Sequence, residues 1–322
     1  MFRYVRMAAL LLLCAGTPTG GAYADDDCTW LPDIRCGRHG RFNGFVPPMS
    51  SPYNFEDPFI TTSLNLAYVF NDLPESSVFE GGDIRVQAAQ LRLALTDRLG
   101  LLATKDGRFE VRPDLDLLDT EVSYASLSVG LEYALIADPE AGFIVSPRII
   151  YEPDQGSVDA FNGHGQGAWI PGVSTAFASG GMHFMGGVSA RLPVDGDAEA
   201  TPLFYNLHVD FQLTQRILPF IELNGIHYLD EGTGETQIRL GNGARLPLGT
   251  VQTVLGTGAF DGNDVVNLGS DGIEGNDIIT MAIGTQVKLT ERMTLGLAYE
   301  RPVTRRRDLL KQRVSLMVMI EL

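Results

Sequence analysis

The stretch that decides the fold is Val314-Ser315-Leu316-Met317-Val318-Met319-Ile320-Glu321-Leu322. Apolar residues occupy every second position from Val314 to Leu322, which is the period of a β-strand. Ser315 and Glu321 fall on the opposite face. We expect this strand to be paired along its length, because an unpaired strand edge invites aggregation. A closed barrel supplies that partner, since its last strand pairs with its first. The alternative is an edge strand of a soluble sandwich.

The first residues have the pattern of a secretory signal peptide. Arg3 and Arg6 precede the apolar run 7–14, and Ala22-Tyr23-Ala24 is a small-x-small cleavage site. The run is shorter than the roughly 20 residues that a helix needs to span a bilayer. We therefore predict cleavage after Ala24 and a mature protein in the outer membrane of a Gram-negative cell.

Composition excludes one class of partner. The chain holds 24 Lys and Arg residues against 40 Asp and Glu residues, a formal net charge of −16. This acidic balance argues against nucleic acid, whose phosphates bind basic surfaces. We predict no cofactor.

Residues 25–59 contain several prolines and little periodicity, so we predict an irregular N-terminal arm. The arm either lies free in the periplasm or folds into the barrel as a plug. It contains Cys28 and Cys36, which we expect to form a disulfide in an oxidising compartment. A zinc site would need more ligands than the neighbouring His39.

A five-residue pattern recurs three times, as Leu95-Thr96-Asp97-Arg98-Leu99, Leu213-Thr214-Gln215-Arg216-Ile217 and Leu289-Thr290-Glu291-Arg292-Met293. Each copy lies between two alternating segments and is therefore a predicted hairpin turn. Outer-membrane barrels have short periplasmic turns and longer external loops. Placing all three copies in the periplasm fixes the direction of every strand.

Residues 60–322 then predict a transmembrane antiparallel β-barrel of about twelve strands, in which short and long connections alternate. The longest connection, 230–276, is external. Segments 236–240 and 250–255 offer an extra hairpin, which would make fourteen strands. The predicted strands are 60–71, 83–95, 99–105, 121–136, 142–152, 167–178, 182–193, 202–213, 216–228, 277–289, 293–303 and 312–322.

Alternation also separates the two faces of the wall. Leu203, Tyr205, Leu207, Val209 and Phe211 share one face, which meets lipid if the fold is a membrane barrel. In a soluble sandwich the same face would point to the core. The signal peptide and the loop asymmetry favour the barrel. The opposite face supplies the lumen-lining candidates Arg92, Glu132, Arg148, Arg191, His208, Asp210, Glu222, Lys288 and Glu300.

The external connections contain two further groups. Asp261, Asp264 and Asp271 concentrate oxygen ligands and are weak calcium candidates, although the spacing of a known calcium loop is absent. We predict no metal site, because a solvated acidic loop accounts for them. Arg305, Arg306 and Arg307 form the densest basic cluster, and we expect them to contact the phosphates of lipopolysaccharide.

A hydrolase can be drawn from His183, Ser189, His208 and Asp210. No Gly-x-Ser-x-Gly motif accompanies them, and lumen polarity explains these residues equally well. We predict that the protein is not an enzyme.

Two stretches resemble known proteins, the first in two parts. Gly262-Asn263-Asp264-Val265-Val266-Asn267-Leu268-Gly269-Ser270, Gly275-Asn276-Asp277 and Ala298-Tyr299-Glu300-Arg301-Pro302-Val303-Thr304 resemble a broad group of bacterial outer-membrane β-barrel proteins. Some of these are described as transporters related to the meta-pathway phenol-degradation proteins. The resemblance implies a barrel, an outer-membrane location and small aromatic or apolar solutes, and it supplies no site residue.

The terminal stretch 314–322 resembles the C-terminal signature strand of outer-membrane barrels, with Leu322 in place of the usual Phe. This resemblance implies recognition by the barrel-assembly machinery. We predict a narrow, porin-like passive channel or transporter for small solutes, because twelve strands lie between filled and wide barrels. The alternatives are a structural or surface-contact barrel with a closed lumen and, less favoured, an outer-membrane lipid hydrolase.

Overall fold

The computed structural model of the protein describes residues 40–322 except 52–53, 126, 163–164 and 257, and describes only the backbone of 105–106. The signal peptide and the pair Cys28 and Cys36 lie outside the described residues. Cleavage after Ala24 and the disulfide therefore stay predictions.

Strands account for most of the regular structure. In chain order they are β1 (Ser63–Asp72), β2 (Gly82–Ala94), β3 (Leu99–Pro113), β4 (Glu121–Ala125), β5 (Ser128–Tyr133), β6 (Ile136–Asp138), β7 (Phe143–Glu152), β8 (Ala168–Ser179), β9 (Met182–Ala190), β10 (Leu192–Pro193), β11 (Thr201–Phe211), β12 (Ile217–Asp230), β13 (Gln237–Arg239), β14 (Arg245–Pro247), β15 (Asp277–Lys288), β16 (Met293–Pro302) and β17 (Gln312–Glu321). The helix α1 (Leu248–Leu255) follows β14, and short 3-10 turns occupy Gly40–Gly44 and Val158–Ala160.

These strands form a closed antiparallel barrel with twelve wall strands. The segments β4, β5 and β6 together make one wall strand, and β10 extends β9. β17 pairs with β1 from Ser63↔Glu321 to Asp72↔Gln312, as the alternation in 314–322 predicts. Because the last strand pairs directly with the first, the wall has no free edge.

The three repeated sequences form the same turn. Thr96 Oγ1 accepts hydrogen bonds from the backbone N–H groups of Arg98 (3.2 Å) and Leu99 (2.9 Å). Thr214 Oγ1 repeats this geometry, and Thr290 Oγ1 accepts from Arg292 N at 3.2 Å. The threonine in each copy therefore satisfies backbone donors that the tight turn leaves unpaired. These turns are the short periplasmic connections of the barrel.

The outer surface is an apolar band bordered by aromatic residues, as expected of a wall that meets lipid. Trp169 and Tyr299 lie towards the external strand ends, whereas Phe177 and Phe211 lie next to periplasmic turns. Exposed apolar side chains between them include Leu66, Val129, Leu131, Val173, Val188, Leu207, Ile221, Ile283, Leu297 and Leu316.

The structure corrects one predicted strand boundary and rejects the larger strand number. β3 continues to Pro113 rather than ending near residue 105, because a register shift between Ala89 and Leu91 lets its outer half keep pairing with β2. The fourteen-strand alternative is wrong. β13 pairs only with β14 in a separate two-stranded sheet, and the segment 250–255 belongs to α1.

The external loops pack on one another at that end of the barrel. Phe79 and Phe161 from two shorter loops join Ile238, Leu248 and Leu268 of the long loop in one buried apolar cluster. Among the described residues, no helix is long and apolar enough to cross a membrane.

Candidate functional site in the barrel lumen

The lumen contains the polar face of the wall. The predicted lumen candidates on the strands are buried, except Lys288, which is half-buried near the periplasmic end. The lumen also contains the later part of the predicted arm. From here on, the arm means the described residues of 40–62, which leave out 52–53. The arm enters at the periplasmic end, where Arg41 N donates to Pro139 O (3.0 Å) of a short turn. It rises to Ser50 and returns to β1.

Wall side chains bind the backbone of the arm on its way up. Lys288 Nζ donates to Asn43 O (2.9 Å) and Gln286 Nε2 donates to Pro47 O (2.6 Å). At the top, Glu222 accepts hydrogen bonds from Met49 N (2.9 Å) and Ser50 N (2.7 Å), and also from the Ser50 hydroxyl. The prolines in this segment lack an N–H, so fewer backbone donors need partners there.

The returning segment is held in the same way. Arg148 Nη2 donates to Asn54 O (3.1 Å), Ser146 Oγ donates to Pro58 O (2.6 Å), and Arg92 Nη2 donates to Phe59 O (2.7 Å). A buried backbone that pairs with no strand must find its partners among side chains. The polar inner face of the wall supplies those partners.

Arg92 is the centre of a buried charge cluster. Its guanidinium lies 2.7 Å from Glu132 Oε2 on the wall, and 3.4 Å from Glu56 Oε2 and 3.2 Å from Asp57 Oδ2 on the arm. One wall cation therefore bridges a wall carboxylate and two arm carboxylates. Buried ion pairs of this kind are costly to break, because the remaining charge stays without water.

A chain of carboxylates and imidazoles runs along the wall beneath the arm tip. His183 Nδ1 lies 2.6 Å from Asp210 Oδ1, and Asp210 Oδ2 lies 3.2 Å from His208 Nε2. His208 Nδ1 lies 2.7 Å from Glu222 Oε1, the same oxygen that accepts from Met49 N. The chain thus ends on the backbone of the arm. The side chain of Ser189 contacts Asn54 O (3.4 Å), so it takes no part in this chain.

Glycines in the wall make room for large side chains of the arm. A Cβ on Gly296 would lie 2.1 Å from Met49 Sδ, and a Cβ on Gly187 would lie 3.2 Å from the ring of Phe55. The fit is reciprocal on the arm, since a Cβ on Gly44 would lie 2.4 Å from His183 Nε2. Shape as well as hydrogen bonding therefore matches the arm to the wall.

An apolar cluster lies beside the charged groups in the periplasmic half of the lumen. The arm supplies Phe42, Phe45, Phe55, Phe59 and Ile60, whose phenyl rings pack on one another with centroids 4.9 Å (Phe45 and Phe59) and 5.2 Å (Phe42 and Phe59) apart. The wall contributes small or apolar residues to the same cluster: Ala94, Ala134, Ile144, Ala176, Ala178 and Met185.

Arg313 joins the arm to the long external loop. It donates to Ser50 O (3.1 Å) from Nη1 and forms a two-point ion pair with Asp264 of the loop, with Nη1 2.7 Å from Asp264 Oδ2. Glu300 Oε2 lies 3.3 Å from the same nitrogen. The sequence analysis missed Arg313, although it shares the strand phase of Ser315 and could have been found by extending that polar face one step.

The loop aspartates do not form a ligand set. Asp261 accepts from Gly262 N (2.9 Å) and from Leu268 N, Asp264 faces Arg313, and Asp271 is exposed. Within the described residues, no group of three or more His, Cys, Asp or Glu side chains is arranged to hold a metal ion. Burial raises the pKa of Asp261 to about 7, against the backbone hydrogen bonds that lower it.

A small cavity lies between the arm and the loop. Its volume is about 60 Å³, and its lining includes Asn54 of the arm, Arg191 and Phe204 of the wall and Asn263 of the loop. Arg191 pairs there with Glu199 (2.8 Å) and Glu152 (3.0 Å). Since a water molecule takes about 30 Å³ of liquid, the cavity fits water rather than a sugar-sized solute.

The three arginines of the basic cluster face different ways. Arg305 and Arg307 are exposed, whereas Arg306 turns inward, where its Nε lies 2.8 Å from Asp308 Oδ1.

No family model and no curated protein matches the sequence. Among solved structures, an outer-membrane channel from Pseudomonas putida F1 has a TM-score of 0.54 at 14% identity, covering 86% of this chain and 100% of that chain. The KdgM porin in complex with oligogalacturonate has a TM-score of 0.43 at 11% identity, over 81% and 99% of the two chains. LpxR from Salmonella typhimurium has a TM-score of 0.44 at 11% identity, over 81% and 100%.

The first of these likenesses shows the fold, and the identity is too low to show more. A closed barrel with a polar lumen and an apolar outer band defines an outer-membrane β-barrel protein, and the outer membrane is its location.

Proposed function

We propose that this protein is a narrow passive channel for small solutes, closed in the described arrangement by its own arm. The observation that carries the proposal is that the wall closes without the arm, since β17 pairs directly with β1. The described residues of the arm contribute no wall strand and are bound by hydrogen bonds and packing. Its departure would therefore leave a closed barrel with a polar inner face.

The solutes we propose are small and apolar or aromatic, in line with the resemblance of 262–270, 275–277 and 298–304 to a broad group of barrels that includes some meta-pathway-related transporters. Support comes from the lumen itself. The wall residues Ala94, Ala176 and Met185 already accept the phenyl rings of the arm. Without those rings, the same surface would offer an apolar contact to a solute of similar size.

We propose no catalytic role for the lumen. The imidazoles of His183 and His208 face the carboxylates of Asp210 and Glu222. Asp210 contacts both imidazoles, and Glu222 contacts His208 and accepts a hydrogen bond from the backbone of the arm. Each of these groups thus has a positioning task in the closed lumen.

A structural barrel with a permanently closed lumen is the second candidate. The ion pair between Arg92 and Glu132 on the wall favours this candidate. Wall charges that pair with each other are expected of a closed lumen, whether or not a solute passes. The two candidates differ in whether the arm ever leaves.

A reversible lock on the arm tests the channel proposal. Asn224 Nδ2 donates to Ser50 Oγ (2.7 Å), so we place cysteines at both positions, replace Cys28 and Cys36 by Ser, and confirm the oxidised crosslink by mass spectrometry before recording. In a planar bilayer we expect conductance events from the reduced protein and none from the oxidised protein. The single variant Ser50→Cys in the same background is the control. Equal conductance before and after oxidation would refute closure by the arm, and silence in both would favour the structural barrel.

A further inference from the structure

The external rim carries a groove between three loops. Ser76 and Ser77 line it from the loop between β1 and β2, Ala259 from the long loop, and Arg305 and Arg307 from the loop between β16 and β17. The groove lies over the seam at which the first and last wall strands pair.

Two guanidinium groups in this groove are unengaged. Residues alternate along the loop, so that Arg305 and Arg307 are exposed while Arg306 turns inward and donates to Ala259 O. Within the part of the chain that the structure describes, no carboxylate pairs with Arg305 or Arg307. Arg305 and Arg307 therefore form a small basic patch on a chain of formal charge −16.

The acidic neighbours are already occupied. Asp308 also lines the groove, but its side chain is only 3% exposed, and it binds Arg306 Nε (2.8 Å) and Asp261 N (3.2 Å). Glu75 lies 3.5 Å from Lys311 Nζ. The groove therefore offers an approaching anion two free cations and the hydroxyl group of Ser76.

The groove lies at the level of lipid headgroups. Tyr299 points outward from β16 near its external end, and its hydroxyl donates to Gln312 Oε1 (2.9 Å), as expected of an aromatic residue at the membrane interface. Arg301 is exposed two residues further along the same face, about 7 Å beyond it. Arg305 and Arg307 follow in the loop that leaves this strand.

We propose that Arg305 and Arg307, assisted by Arg301, bind the phosphate groups of lipopolysaccharide in the outer leaflet. A guanidinium group matches the geometry of a phosphate with two parallel hydrogen bonds. Lipid is the source of phosphate that we favour over the free anion, because the site continues the outward face of a wall strand directly above its interfacial tyrosine.

The test titrates the full-length protein, purified in detergent, with lipid A that carries both phosphates, and measures binding by native mass spectrometry. The variant is Arg305→Gln with Arg307→Gln. Its matched control is Arg98→Gln with Arg216→Gln, which removes two exposed arginines from periplasmic turns. We expect the rim variant to bind at least about ten-fold more weakly and the control to bind like the parent protein. Equal unfolding temperatures of the three proteins would show that all are folded.

Two further ligands separate the sources. Dephosphorylated lipid A should bind the parent protein as weakly as intact lipid A binds the rim variant. Inorganic phosphate should displace lipid A only at far higher concentration. Unchanged affinity in the rim variant, equal binding of the dephosphorylated lipid, or displacement by equimolar phosphate would each overturn the proposal.

Discussion

The arm fills the lumen and the long external loop (231–276) packs at its external end, and the two are held in different ways. Side chains of the wall bind the arm, from Lys288 at the periplasmic end to Glu222 at its tip. The loop is held mainly by other loops, through the apolar cluster around Leu248 and Leu268. In the lumen, Asp264 of the loop forms an ion pair with Arg313 of the wall.

The difference indicates that the polar residues of the wall serve to bind the arm. If the lumen only had to be polar, any polar side chain would serve. Here, individual wall side chains bind individual backbone groups of the arm. The loop needs less from the wall, because it brings its own helix, hairpin and core. Four substitutions or conditions test this contrast.

The largest effect is expected at the anchor of the arm. Glu222→Ala removes the acceptor of Met49 N, Ser50 N and His208, and should cost about 3–5 kcal/mol, because it leaves buried donors without a partner. Glu222→Gln keeps an acceptor and should cost less. Urea unfolding in lipid vesicles, followed by the fluorescence of Trp169 in a background that carries Trp30→Phe, measures both. If both variants lowered the free energy of unfolding by the same amount, the lost hydrogen bonds would not explain the effect.

Filling a hole in the wall should expel the arm without changing any charge. Gly296→Val places side-chain atoms where Met49 lies, and overpacking of this kind costs about 1–3 kcal/mol. We expect the arm to become sensitive to added protease while the wall stays resistant. Gly258→Val, in the external loop with open space around it, is the control. A protected arm in Gly296→Val would show that the close fit has no role.

The anchor of the loop should matter less than the anchor of the arm. After Asp264→Ala, Arg313 keeps Glu300 (3.3 Å), Asn71 (3.2 Å) and Ser50 O (3.1 Å), so we expect a loss of about 1–3 kcal/mol. The same urea experiment decides this. A loss larger than that of Glu222→Ala would reverse the comparison.

The smallest effect is a pH dependence of the contact between the long loop and the loop that joins β16 and β17, where Asp308 accepts a hydrogen bond from Asp261 N. Burial raises the pKa of Asp308 from 3.8 to about 6 and that of Asp261 to about 7, although Arg306 opposes the shift at Asp308. The folded loop favours the neutral acids, so its stability should rise as pH falls through 7 and 6 and be lost as pH rises through them. Proteolysis of the loop at pH 5 and pH 8 measures this. Asp308→Asn, which cannot titrate, should reduce the difference, and an unchanged difference would contradict the assignment.

The alternating segments of the sequence predicted the barrel well, because one residue step flips a side chain between lipid and lumen. The phase of Leu207 and His208 could therefore be read directly, and the three threonine turns fixed the strand directions. The path of the arm could not be predicted, because a proline-rich segment without periodicity carries no signal for its contacts. Which wall residues meet it depends on the curvature of the closed sheet.

The external loop was predicted less well for a different reason. The segment 250–255 is rich in β-branched residues, which favour strands locally, yet packing against the other loops makes it the helix α1. The partners of Asp264 and Arg313 are far apart in sequence, so no local pattern joins them. Long-range pairs of this kind decide how the lumen closes.

Closure of the barrel by the arm is tested most directly by single-channel conductance. The comparison is between the full chain and a variant lacking residues 25–55, which keeps Glu56 and Asp57 as partners of Arg92. We predict stable conductance from the shortened protein and brief, infrequent events from the full chain. Equal conductance from two folded proteins would contradict the account.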